Sequence, residues 1–417
     1  MLFPCPWSYA QGTRRWSFGG GTMPSFRTVA FLPWVTLQSA HAVGGFRFTP
    51  VDANAPSLGS DEADETFARI LASYRGLDGK AVRSCTAVLR LRHDQPWFIP
   101  STMHQKVSEA ARLLALAALS EQRFYERGGH EHANASIFHL VAQGAPQGAR
   151  TAALIIARRG GQMLAGGLKF ADLHIQAPQQ VLWTSCPRIP RHFSRALDRA
   201  RTGGGRAWRA IKASLPYFLL ANEENPTLPL EGWITLSVIA FEALLAADGP
   251  ANGTALALSK AFADLWHTSE TVTLQQAERI APDASPQHAA EQMKWPLRRK
   301  WMKELYEARS EFVHLNPRKE LSRNWTLEHS VVVAAFAYPL AVKLLLARED
   351  LYTPTDEDLG AIDALDHLLL AKPPKGWKRS DWPMILSRWE QSRALDRIIR
   401  DAMRSRGGEL PSDPPPG

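Results

Sequence analysis

The feature that most constrains this chain is a change of character at Cys186-Pro187. Upstream, short β-type runs alternate with turns and a few helical stretches. Downstream, strand signals stop and helix patterns follow one another. With 417 residues and domains of roughly 100–200 residues, the break predicts an α+β N-terminal domain followed by an all-α helical bundle with extra C-terminal helices. The expected boundaries are a disordered leader over residues 1–22, an α+β domain of unassigned specificity over 23–187, the helical domain over 190–350, and further helices with a disordered tail over 351–417.

In the first part, residues 28–50 read as the opening strands. Asp61–Asp64 supply acidic residues to the first turn of a helix running to Tyr74. Thr86–Leu91 reads as a strand. Ser101–Tyr125 reads as a long helix that buries Ala110, Ala111, Leu113, Leu114, Ala117 and Leu119. Ser136–Val141, Ala152–Ala157 and Met163–Phe170 read as strands, the last two joined by the turn Arg158–Gln162. His174–Trp183 reads as another strand. In the second part, helices are expected over His192–Arg201, Arg206–Glu223, Leu230–Ala247, Ala255–Trp266, Leu297–Leu315 and Thr326–Arg348, with a polar insertion at His267–Pro296. Two more follow at Thr355–Leu370 and Ser380–Ser405.

A composition of 45% apolar and 22% charged residues excludes a mostly disordered chain. Three cysteines, Cys5, Cys85 and Cys186, build no disulfide framework, and no zinc-type spacing exists, so a reducing, cytoplasmic location is expected. The most apolar run, Val331–Ala347, contains Pro339 and Lys343 and falls short of the usual span of about 18 residues, so it reads as a core helix and no membrane partner is expected. Near the N-terminus, Arg14-Arg15-Trp16, the apolar stretch Thr28–Leu37 and Ala40-His41-Ala42 resemble an export signal of the twin-arginine type. Arg27 and Pro33 interrupt it. The competing reading starts the chain at Met23. The excess of 49 Lys+Arg over 41 Asp+Glu, a net charge of +8, points to an anionic partner, of which nucleic acid is the commonest.

The segment with chemical content is Leu305-Tyr306-Glu307-Ala308-Arg309-Ser310-Glu311-Phe312-Val313-His314. Leu305, Ala308, Phe312 and Leu315 give its helix an apolar stripe, and Arg309 lies among them. Five residues along a helix rise about 7.5 Å and rotate about 140°, so Arg309 and His314 meet only at the helix end or across a partner surface. Pro317 takes Asn316 out of the helical region and leaves His314 in the last turn, where the helix dipole favours the imidazolium. An imidazole can exchange a proton with a ribose 2′-hydroxyl or a leaving oxygen. A guanidinium can hold the phosphate by bidentate hydrogen bonds. That chemistry calls for no metal or cofactor. By itself, Arg-x4-His also arises by chance, as a surface Arg and a helix-terminal His without a role.

The order of helices, with Phe241-Glu242-Ala243-Leu244-Leu245 on one and Leu305-Tyr306-x-x-Arg309-Ser310-x-x-Val313-His314 on a later one, resembles the HEPN superfamily, in particular its Apea-like branch, over residues 205–350. The resemblance implies a HEPN-like all-α bundle that forms a homodimer with the Arg–His motifs at the interface. It implies a metal-independent endoribonuclease acting in phage defence or a toxin-like stress response and leaving a cyclic phosphate. Carried over, Arg309 and His314 are the catalytic pair, Ser310 fills the polar position after the Arg, and Glu242 sits on the helix packing nearby. Leu315-Asn316 stands where a Gly often follows the His, and Ser310 replaces the commoner Asn or Asp. The competing function is a non-catalytic HEPN-like module that binds RNA, nucleotide or protein. Glu242 is equally open to a purely structural ion pair, and Tyr306, one turn before Arg309, to base stacking or core packing.

Two basic clusters with interleaved aromatics suit RNA. Lys294, Arg298, Arg299, Lys300 and Lys303, with Trp295 and Trp301, lead into the motif helix and are the expected RNA-binding residues. Arg188, Arg191, Arg195, Arg199, Arg201, Arg206, Arg209 and Lys212, with only Asp198 as an acid among them, read either as a second track or as a solvated face. The same choice holds for Arg388, Arg393, Arg397, Arg400 and Arg404. His130, His132 and His139 lack a helical metal-ligand spacing, and no metal is expected.

Overall fold

The computed structural model describes residues 26–370, apart from 57, 59, 92–97, 122–133, 147–150, 159–160, 170–171, 179–185, 224, 226, 246–254, 267–271, 278–285 and 315–323. The first part holds β1 (Phe26–Leu32), β2 (His41–Val43), β3 (Phe46–Asp52), α1 (Asp61–Leu71), β4 (Tyr74–Arg75), β5 (Ser84–Arg90), α2 (His104–Leu119), β6 (Val141–Pro146), β7 (Thr151–Arg158), β8 (Gly161–Lys169) and β9 (Ile175–Gln176). The second holds α3 (Arg191–Gly203), α4 (Arg206–Ala221), α5 (Leu230–Leu245), α6 (Ala255–Leu265), α7 (Pro286–Gln292), α8 (Leu297–His314), α9 (Leu327–Arg348) and α10 (Asp356–Leu370). A sheet-bearing N-terminal part thus precedes a helical one.

Seven strands form one antiparallel sheet in the order β2-β3-β5-β1-β6-β7-β8. Strand β1 is central, and Val29, Ala30, Phe31 and Leu32 are all buried, so both its faces are covered. Phe31 meets Phe67 of α1 and Tyr74 edge-on, at 5.4 and 5.1 Å between ring centroids. Ser60 caps α1 by accepting from the Ala63 N–H. The β2–β3 turn is Gly44-Gly45, with φ of +66° and +83°, the pair of positive angles that a tight two-residue hairpin requires. The strand expected over Ser136–Val141 is instead a 3-10 turn, Ala135–Phe138, followed by β6. The strand expected over His174–Trp183 shrinks, within the described residues, to Ile175–Gln176, paired in parallel with Tyr74–Arg75.

Helices dominate from Arg191 onward, as their periodicity predicts. The polar segment before α8 is more structured than expected: it carries α7 and a bridge between Thr273 and Pro296. Helix α10 is present, whereas the expected helix at Ser380–Ser405, the leader and the tail lie outside the described residues. The stretch His329–Arg348 in α9 is long and apolar enough to cross a membrane, yet most of it is buried in protein. Its one buried cation, Lys343, donates to Asp358 at 2.6 Å, as a charge inside a core must.

The change of element type at Pro187 is not a break in the core. Helix α2 packs against α3, α4 and α9, and one continuous apolar cluster runs from β1 to α10. The Gly44 N–H donates to Asp198 of α3 at 3.1 Å, and the Ala135 N–H to the Asn222 carbonyl at 2.8 Å.

Candidate functional site

Helix α8 carries the motif. Leu297, Trp301, Met302, Leu305 and Ala308 are buried, and Phe312 packs partly buried against the core. This stripe docks the helix on α5, α6 and α10. Opposite it on α5, Phe241 points inward and meets Phe262, Trp301 and Tyr338 edge-on at 5.5, 6.2 and 5.7 Å. The next residue, Glu242, is rotated by about 100° to the rim of that core, where Arg309 reaches it.

Arg309 Nη2 lies 3.7 Å from Glu242 Oε2, with the two side chains 22% and 26% exposed. That is an ion pair outside hydrogen-bond distance. Arg309 Nε is buried without a hydrogen-bond partner. The guanidinium carbon stands 5.7 Å from the Tyr306 ring centroid, a cation–π distance. Ser310 follows on the same helix, partly buried. His314 is the last residue of α8, and its side chain lies outside the described residues. The structure therefore brings together Arg309, Glu242 and Tyr306 and puts His314 one and a half turns further on.

The expected RNA track along α8 is corrected. Arg298 is fully buried: its Nε and Nη2 donate to the two oxygens of Asp366 at 2.7 and 3.2 Å, and Nη2 also to the Ile362 carbonyl at 3.0 Å. Lys300 is 1% exposed and pairs with Glu304 at 3.2 Å. Neither can face a nucleic acid. Burial pushes the Glu304 carboxyl up, against the opposing pull of Lys300 and Asn324. Lys303 is paired with Glu307. Arg299 stacks 3.9 Å above the Trp295 ring, and Lys294 is exposed. These two sit at the opposite end of α8 from the motif, about 15 Å or more from Arg309 along the axis. Asn324 and Asp366 are not legible in the sequence because each meets its partner only in the fold, whereas Glu304 meets Lys300 one turn away on the same helix.

The cluster after Cys186 has acids from elsewhere. Arg188 lies 3.6 Å from Glu121, and Lys212 lies 3.7 Å from Glu109 on α2. Arg199 donates to the Leu351 carbonyl at 2.5 Å, and Arg201 to Asp198 at 3.1 Å. His130 and His132 lie outside the described residues, and among the described residues no group of three His, Cys, Asp or Glu is placed to hold a metal. Comparison of the chain with protein-family models, with curated proteins and with solved structures finds no match.

Proposed function

We propose that the chain is a metal-independent endoribonuclease of the HEPN type, acting in the cytoplasm as a homodimer in phage defence or a toxin-like response. The observation that carries this reading is Arg309: a guanidinium on a core-facing helix that, among the described residues, meets Glu242 in a 3.7 Å pair and leaves Nε unspent. An arginine needed solely to hold the bundle together would be fastened as Arg298 is. Arg309 keeps donors for a phosphate, and Tyr306 offers a ring face beside it. Val313, 50% exposed next to His314, is the kind of apolar residue that a second copy would cover.

In the proposed reaction the ribose 2′-oxygen attacks the adjacent phosphorus as its proton passes to a base. The P–O5′ bond breaks, the 5′-oxygen takes a proton, and a 2′,3′-cyclic phosphate is left. His314 serves the proton transfers, and Arg309 stabilises the charge on the phosphoryl oxygens. Glu242 orients Arg309.

Labelled RNA incubated with the full chain in EDTA tests this. Cleavage to cyclic-phosphate ends is expected for the wild type, with a loss of about 100-fold or more in Arg309→Ala and His314→Ala. Intact RNA with wild type, or unchanged cleavage by either variant, removes the proposal. Intact RNA with salt-sensitive binding would instead establish the non-catalytic binding module.

A further inference from the structure

Where the linker Pro187–Pro190 passes the loop between β1 and β2, the structure forms a half-open pocket of about 350 Å³. Its walls include Gln38, Ser39, His41, Arg188 and Arg191. Small-molecule sites run from about 300 to 1,000 Å³. Helix α3, 13 residues long, begins at this cavity. Its N-cap is Pro190, no side chain caps it, and its first turn carries no acid. The N–H groups of the first turn have no carbonyl of their own helix to bond, and the dipole makes this end positive.

The helix compounds that charge instead of offsetting it. Arg191 is its first residue and donates to Ser39 at 3.3 Å. Arg195 stands exposed one turn on. Arg188, on the linker, is loosely paired with Glu121. Cations at a helix N-terminus oppose the dipole unless an anion sits between them. The fourth group is His41, 8% exposed, whose Nε2 is buried without a hydrogen-bond partner. Burial first, then the charges of Arg191 and Arg195, hold its imidazole below the ordinary histidine range, so the field of both arginines reaches it.

We propose that this cavity binds a small phosphate-bearing molecule, a phosphomonoester or diphosphate, through Arg188, Arg191 and the N-terminus of α3, with His41 in the wall. Such a ligand would bridge the β2 edge of the sheet to the helices. The site is independent of the nuclease reading, because it uses no residue of α5 or α8.

Calorimetry and thermal shift on the full chain, with inorganic pyrophosphate and 5′-AMP as probes and chloride at equal ionic strength as the control, test it. Saturable binding is expected, with a rise in melting temperature. Arg191→Gln should weaken it about tenfold or more, the loss of a charge-assisted bond, and Arg191→Lys less. Arg69→Gln, in a surface pair with Glu65, should bind as wild type. Arg191 is exposed, so its variants should fold normally, which circular dichroism checks. No saturable binding of either probe, or unchanged binding in Arg191→Gln, overturns the proposal. So does a single-stranded RNA oligonucleotide that binds through Arg191 while both small probes fail.

Discussion

Two arginines on α8 show how much one residue's surroundings decide. Arg298 spends its donors inside the core on Asp366 and Ile362, while Arg309 meets Glu242 at 3.7 Å. Asp366→Asn would remove the carboxylate that faces the buried Arg298 charge, so a loss of about 3–5 kcal/mol in urea unfolding is expected. Arg309→Ala should cost about 1 kcal/mol or less, because the pair is loose and partly solvated, which makes it a clean test of chemistry. His41 gives a pH signature. Its folded pKa is lowered, so its contribution to stability is present above the ordinary value of about 6.5 and is lost as pH falls through the lowered folded value. In phosphate-free buffer, unfolding midpoints should fall more between neutral and mildly acidic pH for the wild type than for His41→Gln. Equal slopes would show that His41 is not the group responsible.

Elements were legible wherever the signal is local. Except for α7, the helices from α3 to α10 follow from periodicity, and Thr326 at the start of α9 accepts from the His329 N–H, as an N-cap should. Ala135–Phe138 misleads because Ile137 and Phe138 look strand-like, yet Asn134 accepts from the Ser136 N–H and closes a turn there. Helix α4 is capped from another element altogether: the Ala207 N–H donates to Glu349 Oε1 at 2.7 Å, a partner 142 residues away that no local reading finds. Glu349→Ala should cost about 0.5–2 kcal/mol by the usual worth of a cap. The β2–β3 turn offers a controlled comparison. A Cβ on Gly44 would lie 2.4 Å from the Ala110 Cβ of α2, whereas one on Gly79, at φ +73°, meets nothing within 4 Å. Gly79→Ala should therefore cost only the left-handed backbone penalty of about 1–2 kcal/mol. Gly44→Ala adds overpacking of about 1–3 kcal/mol. Equal urea midpoints for the two variants would mean that the turn does not press on α2.

At the scale of the whole molecule, the residues of the motif were readable but their company was not. Arg309 and Glu242 stand out as charges on apolar helices. The burial of Arg298 and Lys300 does not: Asp366, which accepts from Arg298, lies on α10, and the Lys300–Glu304 pair, though local to α8, is buried only once that helix is docked. The same limit applies to the division at Pro187. Sequence registers a change of element type there, but the core ignores it: α2, encoded before the break, buries eleven residues and packs against α3, α4 and α9. Arg188 and Lys212 reach back across the break to Glu121 and Glu109. If the two parts were separate folding units, amides in β1 would open with a free energy unrelated to those in α9. A shared core predicts that the most protected amides of both exchange with the same opening free energy and the same urea dependence. It also predicts that a fragment spanning residues 190–370 does not fold on its own, because the apolar faces that α2 covers would be left in water. A well-dispersed spectrum from that fragment, or two distinct opening free energies in the full chain, would separate the parts and leave the contact with α2 as a docking surface between independent domains.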